Sequence, residues 1–120
     1  MIIYNVIIYI YKVFEFLAPI IPPPNITVSQ RYSTENIRLT WDEIPERYQR
    51  GYMKGYKISY RLIRQSGRDA PIGSPVRVLQ FDRFVFAHEI LDLKPYAEYE
   101  IKLYGYADEG DGPASTHYAS

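Results

Sequence analysis

Two alternating runs, far apart in the chain, restrict what this sequence can fold into. In Ile37-Arg38-Leu39-Thr40-Trp41 the apolar Ile37, Leu39 and Trp41 fall on one side of an extended strand, and Arg38 and Thr40 on the other. From Tyr99 the rule returns: Tyr99, Ile101 and Leu103 share a face, while Glu100, Lys102 and Tyr104 share the opposite one. Further strands are predicted at 25–29, 55–62, 76–79, 84–90 and 114–118, beside 36–41 and 97–107. Gly, Pro, Ser and Asp clusters separate them. About seven short strands at this spacing predict an all-β, immunoglobulin-like two-sheet sandwich with Greek-key connections. No amphipathic helical period competes, and no internal repeat is present.

The chain has 120 residues, enough for one domain. It contains no cysteine, so the sandwich has no disulfide and must hold by packing. Fourteen basic residues balance fourteen acidic ones. Such a chain has no global field to draw in nucleic acid or an anionic membrane. The 13 tyrosines suit half-buried strands, where an apolar ring carries a hydroxyl that reaches a backbone group.

Residues 1–21 are expected to lie outside the fold. The first 17 are mostly isoleucine, tyrosine, valine and phenylalanine, with Lys12 and Glu15 interrupting the apolar stretch. Three readings are open: a translated non-coding or unstructured leader, a poor signal or anchor, or a strand that pairs elsewhere. Pro19, Pro22, Pro23 and Pro24 then mark a stiff interdomain linker, with the domain proper at 22–120.

A ladder of residues carries a family resemblance. Pro23-Pro24-Asn25-Ile26-Thr27-Val28, Ile37-Arg38-Leu39-Thr40-Trp41, Gly55-Tyr56-Lys57-Ile58-Ser59-Tyr60, Leu93-Lys94-Pro95 with Tyr99, and Gly110-Asp111-Gly112-Pro113 with Ser115 occur in that order. Together they resemble a fibronectin type III domain over nearly all of the chain beyond the leader. The resemblance implies a structural core of Trp41, Tyr60, Leu93, Pro95 and Tyr99. Tyr99 would form a tyrosine corner, its hydroxyl bonded to the backbone just upstream. Two positions depart from the pattern. Gly105 stands where the family has a small alanine-like residue, which weakens that strand or permits a bulge. The last strand stops at Ser120 and is expected to be truncated, incompletely paired and marginal in stability.

Candidate sites follow. Asn25-Ile26-Thr27 is an N-glycosylation sequon, so Asn25 is the modification candidate. Asp108-Glu109-Gly110-Asp111-Gly112 has three carboxylates but lacks calcium-loop spacing, and reads as a hairpin turn. No Arg-Gly-Asp occurs there, so integrin recognition by that route is not expected. Lys57 and Arg61 are predicted to face outward beside Glu98 and Glu100, paired across strands. Tyr104 and Tyr106 fall on the same outer face. With Lys57 and Arg61 they form the candidate interface, tyrosine with basic residues being typical interface composition.

No enzyme is expected. His88 and His117 are the only histidines, and no nucleophile elbow or phosphate loop is present. No cofactor, metal, small-molecule substrate or nucleic acid is expected. The resemblance implies a binding and spacer module of an extracellular or cell-surface multidomain protein, in adhesion or receptor architecture. Its partners would be proteins or neighbouring domains, and membrane contact would come only through other parts of the parent protein. Two alternatives stay open: a repeat of an intracellular giant muscle-type protein, and an accessory domain of a secreted carbohydrate-active enzyme. The Trp-Ser-x-Trp-Ser signature of cytokine receptors is absent.

Overall fold

A computed structural model describes residues 18–29 and 35–120. The leader readings for residues 1–17 lie outside the described residues. The strands are β1 Thr27–Ser29, β2 Ile37–Thr40, β3 Met53–Gln65, β4 Arg68–Asp69, β5 Arg77–Asp82, β6 Ala87–Ile90, β7 Ala97–Ala107, β8 Gly110–Asp111 and β9 Ser115–Ala119, with one short helix, α1 Glu46–Gln49. Two of these nine, β4 and β8, are two-residue pairings, so the strand count exceeds the expected seven.

They form two sheets. One is β1-β2-β6; in the other β3 and β7 are central, β4 and β5 pair with β3, and β8 and β9 pair with β7. The chain crosses between sheets after β2, β5 and β6, giving an immunoglobulin-like sandwich. Alternation decides which side chains enter it. Ile37 and Leu39 of β2, Tyr56 and Ile58 of β3, and Tyr99, Ile101 and Leu103 of β7 are all buried. Trp41 lies one residue beyond β2 and is 3% exposed, its ring 5.7 Å from Tyr56 and 6.2 Å from Phe81. That aromatic cluster fills the centre where a disulfide is absent.

Several expected limits shift. The run 84–90 is strand only from Ala87, because the Asp82 carboxylate accepts the Phe84 N–H at 2.7 Å and turns the chain. β3 and β5 run longer than their apolar alternation, since both pair within one sheet: β3 with β7 along Met53–Gln65, and β5 with Gly55 to Tyr60 of β3. β9 pairs all five of its residues with β7, from Leu103↔Ser115 to Tyr99↔Ala119.

The proline segment also differs from a free linker. Pro19 and Pro23 are buried, and Ile20 N–H donates to Tyr48 O at 3.0 Å. Pro19 sits against two opposed glycines. A Cβ on Gly105 would come 2.7 Å from Ile44 Cδ1 and 3.2 Å from both Met53 Sδ and Pro19 Cγ, and one on Gly112 would come 2.7 Å from Pro19 O. Gly105 therefore reflects crowding by three neighbours, and β7 pairs without a break through it, opposite Tyr56.

Candidate functional site

The outer face of the larger sheet gathers the candidate interface residues. Directly opposed residues share a face, and the register sets Lys57 opposite Tyr104, Gly55 opposite Tyr106, Ser59 opposite Lys102, and Arg61 opposite Glu100. β9 extends these rows, with Thr116 beside Lys102 and Tyr118 beside Glu100.

Lys57 is the centre of one group. Its ammonium lies 2.9 Å from Asp111 Oδ1 and 4.7 Å from the centroid of the Tyr106 ring. The hydrogen bond to Asp111 holds the Lys57 pKa above its usual value. Burial pushes the Tyr104 phenol up, with Asp111 adding to the effect and Lys57 opposing it. The Tyr104 and Tyr106 rings are half-buried and lie beside one lysine and one carboxylate. Such a surface offers aromatic area with donors and acceptors already oriented.

Arg61 centres a second group. Its Nε donates to Glu100 Oε1 at 3.1 Å, and Tyr118 Oη donates to Glu100 Oε2 at 3.4 Å, so one carboxylate links three strands. A shallow depression of about 260 Å³ lies here, lined by Ser59, Tyr60, Arg61, Val76, Glu100 and Lys102. The exposed pair contributes little stability, up to about 1 kcal/mol.

The pairing expected for Lys57 differs. Glu98 lies opposite Arg64, not Lys57 or Arg61, and Arg64 meets Asp69 at 3.4 Å. Lys57 instead reaches Asp111 on β8, and Lys54 reaches Asp108 at 3.0 Å. The sequence marks those acids only as turn residues. Their sequence signal was present, three carboxylates in a loop beside a basic strand, but their partners needed the register.

The structural residues fall into distinct environments. Leu93 and Tyr99 are buried, and Tyr99 Oη accepts the Lys94 N–H at 2.9 Å. Tyr60 is only partly buried, at the rim of the core, its ring 6.3 Å from that of Tyr99. Pro95 is exposed and does not belong to the core, because the β6–β7 crossover carries it over the outside. Beside it Asp92 and Tyr96 take positive φ of 58° and 51°. Asn25 is exposed with φ 54°, and its Nδ2 donates to Asp42 Oδ2 at 2.7 Å. It precedes β1, which begins at Thr27.

Sequence reasoning missed the loop that shapes this end of the sandwich. Ile44 N–H donates to Tyr56 Oη at 3.1 Å, and Gln49, 3% exposed, donates from Nε2 to Ile44 O at 2.7 Å. Burial raises the Tyr56 pKa, opposed by the Ile44 bond. A buried glutamine gives no signal in a hydrophobic pattern.

The chain has similar sequences and a similar fold among known proteins. The chain is 32% identical to human contactin-3 over 101 residues, covering 84% of this chain and 9% of that protein. It is 30% identical to mouse neuronal cell adhesion molecule over 98 residues, covering 82% and 8%. It thus spans less than a tenth of either relative. The third fibronectin III domain of human KIAA0343 protein superposes with TM-score 0.70 at 25% identity, over 85% of this chain and 82% of that one. The family model for the fibronectin type III domain matches residues 21–119, and the chain belongs to that family.

Proposed function

We propose that this chain is a non-catalytic adhesion module of an extracellular or cell-surface protein, and that it recognises a protein partner through the outer face of its larger sheet. The observation that carries the reading is the Lys57 group: two half-buried tyrosines, Tyr104 and Tyr106, held around an ammonium that Asp111 anchors. Large rigid aromatics with few rotamers make contact area at low entropic cost, and central tyrosines often dominate interface energy. The similarity to contactin-3 and neuronal cell adhesion molecule supports an adhesive role and a cell-surface location. Trp41, Leu93 and Tyr99 serve stability. Tyr60 buttresses the Tyr99 ring from the core rim, and Pro95 shapes the crossover from outside. Asn25 is a glycosylation site, exposed beside β1 and away from the tyrosine face.

Beads coated with the chain and laid on cultured neural cells test the reading. Wild-type beads adhere, and beads carrying a folded Y104A/Y106A variant do not. Equal adhesion by both would remove the outer face from the account.

A further inference from the structure

A second cluster, used neither by the core nor by the outer tyrosine face, lies where β3 begins and β5 ends. Tyr52 is 71% exposed and Phe84 73% exposed. Arg83 lies between them, its guanidinium carbon 5.5 Å from the Tyr52 ring centroid and 5.4 Å from that of Phe84. Both distances fall within cation–π range. The loop is constructed to present Phe84: the Asp82 carboxylate accepts Phe84 N–H, and Val85 N–H donates to Asp82 O at 3.2 Å. Single exposed apolar residues are ordinary, whereas two large rings grouped about one cation mark a contact surface.

Among the described residues the charge on Arg83 is unmatched. Lys54, Lys57, Arg61 and Arg64 of β3 each have a carboxylate within 3.4 Å. No carboxylate among the described residues forms an ion pair with Arg83, and its buried Nε has no hydrogen-bond partner there. Asp82, its neighbour in sequence, is engaged by the turn. A guanidinium carries its donors in a planar fork that suits a carboxylate.

We propose that Tyr52, Arg83 and Phe84 form a docking site for an acidic peptide segment of a partner protein. A carboxylate meets the edge of Arg83, and the apolar residues beside it rest on the two rings. Charge-assisted pairing with Arg is the strong kind of hydrogen bond, and Tyr with Arg is hot-spot composition. A nucleic acid is the poorer match, because its affinity comes from many phosphate contacts and this chain has equal numbers of acidic and basic residues. None of these three residues belongs to the Lys57 group.

Nuclear magnetic resonance on the full isotope-labelled chain tests this with two capped probes, a peptide with one aspartate between two leucines and its asparagine counterpart. The aspartate peptide shifts the Arg83 side-chain N–H and the amides of Tyr52 and Phe84, saturating in the millimolar range. The asparagine peptide binds at least about tenfold more weakly. Arg83→Gln abolishes the shifts, and Y52A/F84A weakens them. Equal response to both peptides, or no response at these groups, overturns the proposal on the unsubstituted chain, whatever the stability of the variants. Peptide-free shifts of the same groups that grow with protein concentration would make a second copy the occupant and also overturn it.

Discussion

The phenolic oxygen of Tyr99 accepts the backbone N–H of Lys94 at 2.9 Å, tying β7 to the crossover that feeds it. The ring is 6% exposed and packs 6.3 Å from Tyr60. Tyr99→Phe keeps that packing and deletes the acceptor. The expected loss is about 1–2 kcal/mol, read as a fall in melting midpoint of roughly 4–8 °C per kcal/mol. An unchanged midpoint would mean that the bond contributes nothing net.

Gly105 is expected to resist even one added methyl group. Its Cβ would meet Ile44 Cδ1 at 2.7 Å, with Met53 and Pro19 close behind. Gly105→Ala should destabilise by about 1–3 kcal/mol through overpacking, despite alanine being the better strand residue. Denaturant unfolding at unchanged m-value checks it; a stabilised variant would show that these neighbours yield freely.

The same packing brings Pro19, Ile20 and Ile21 into contact with the sandwich. A chain beginning at Ala18 should melt several degrees above one beginning at Pro22, which lacks Pro19 and the Ile20–Tyr48 bond. Equal midpoints would return those residues to the linker.

How far the sequence anticipates this molecule depends on what each residue answers to. Trp41, Leu93 and Tyr99 are legible because core positions impose periodicity and fixed offsets that local pattern retains. Pro95 and Tyr60 look alike in sequence but lie outside the core and at its rim, since a fixed offset can mark backbone direction as well as burial. The partners of Lys57 and Lys54 were not legible. They lie 54 residues away in each case, across a β3–β7 pairing whose register only the folded sheet sets. Gly105 looks in sequence like a weak point of its strand, because nothing local announces that Pro19 will pack against it.

His88 supplies a pH dependence. It faces inward opposite Leu39, its ring centroid 4.7 Å from that of Phe81, and burial lowers its pKa below 6.5, opposed by Glu89. The folded state therefore binds the proton less readily than the unfolded one. This contribution to stability is complete above the unfolded pKa and is lost as pH falls from about 6.5 through the folded value. Melting midpoints between neutral pH and about pH 5 should fall further for the wild type than for His88→Gln. Parallel curves would exclude the histidine as the source.

The central claim is that recognition and stability reside in different residues, the outer tyrosines on one side and the ladder on the other. The most direct measurement is adhesion and melting midpoint determined on the same preparations of Y104A/Y106A and Tyr99→Phe. The account predicts that Y104A/Y106A loses adhesion with its midpoint nearly intact. Tyr99→Phe should lose midpoint and, assayed below it, adhere as the wild type does. Adhesion that follows the midpoint in both variants, or that survives in Y104A/Y106A, would contradict it.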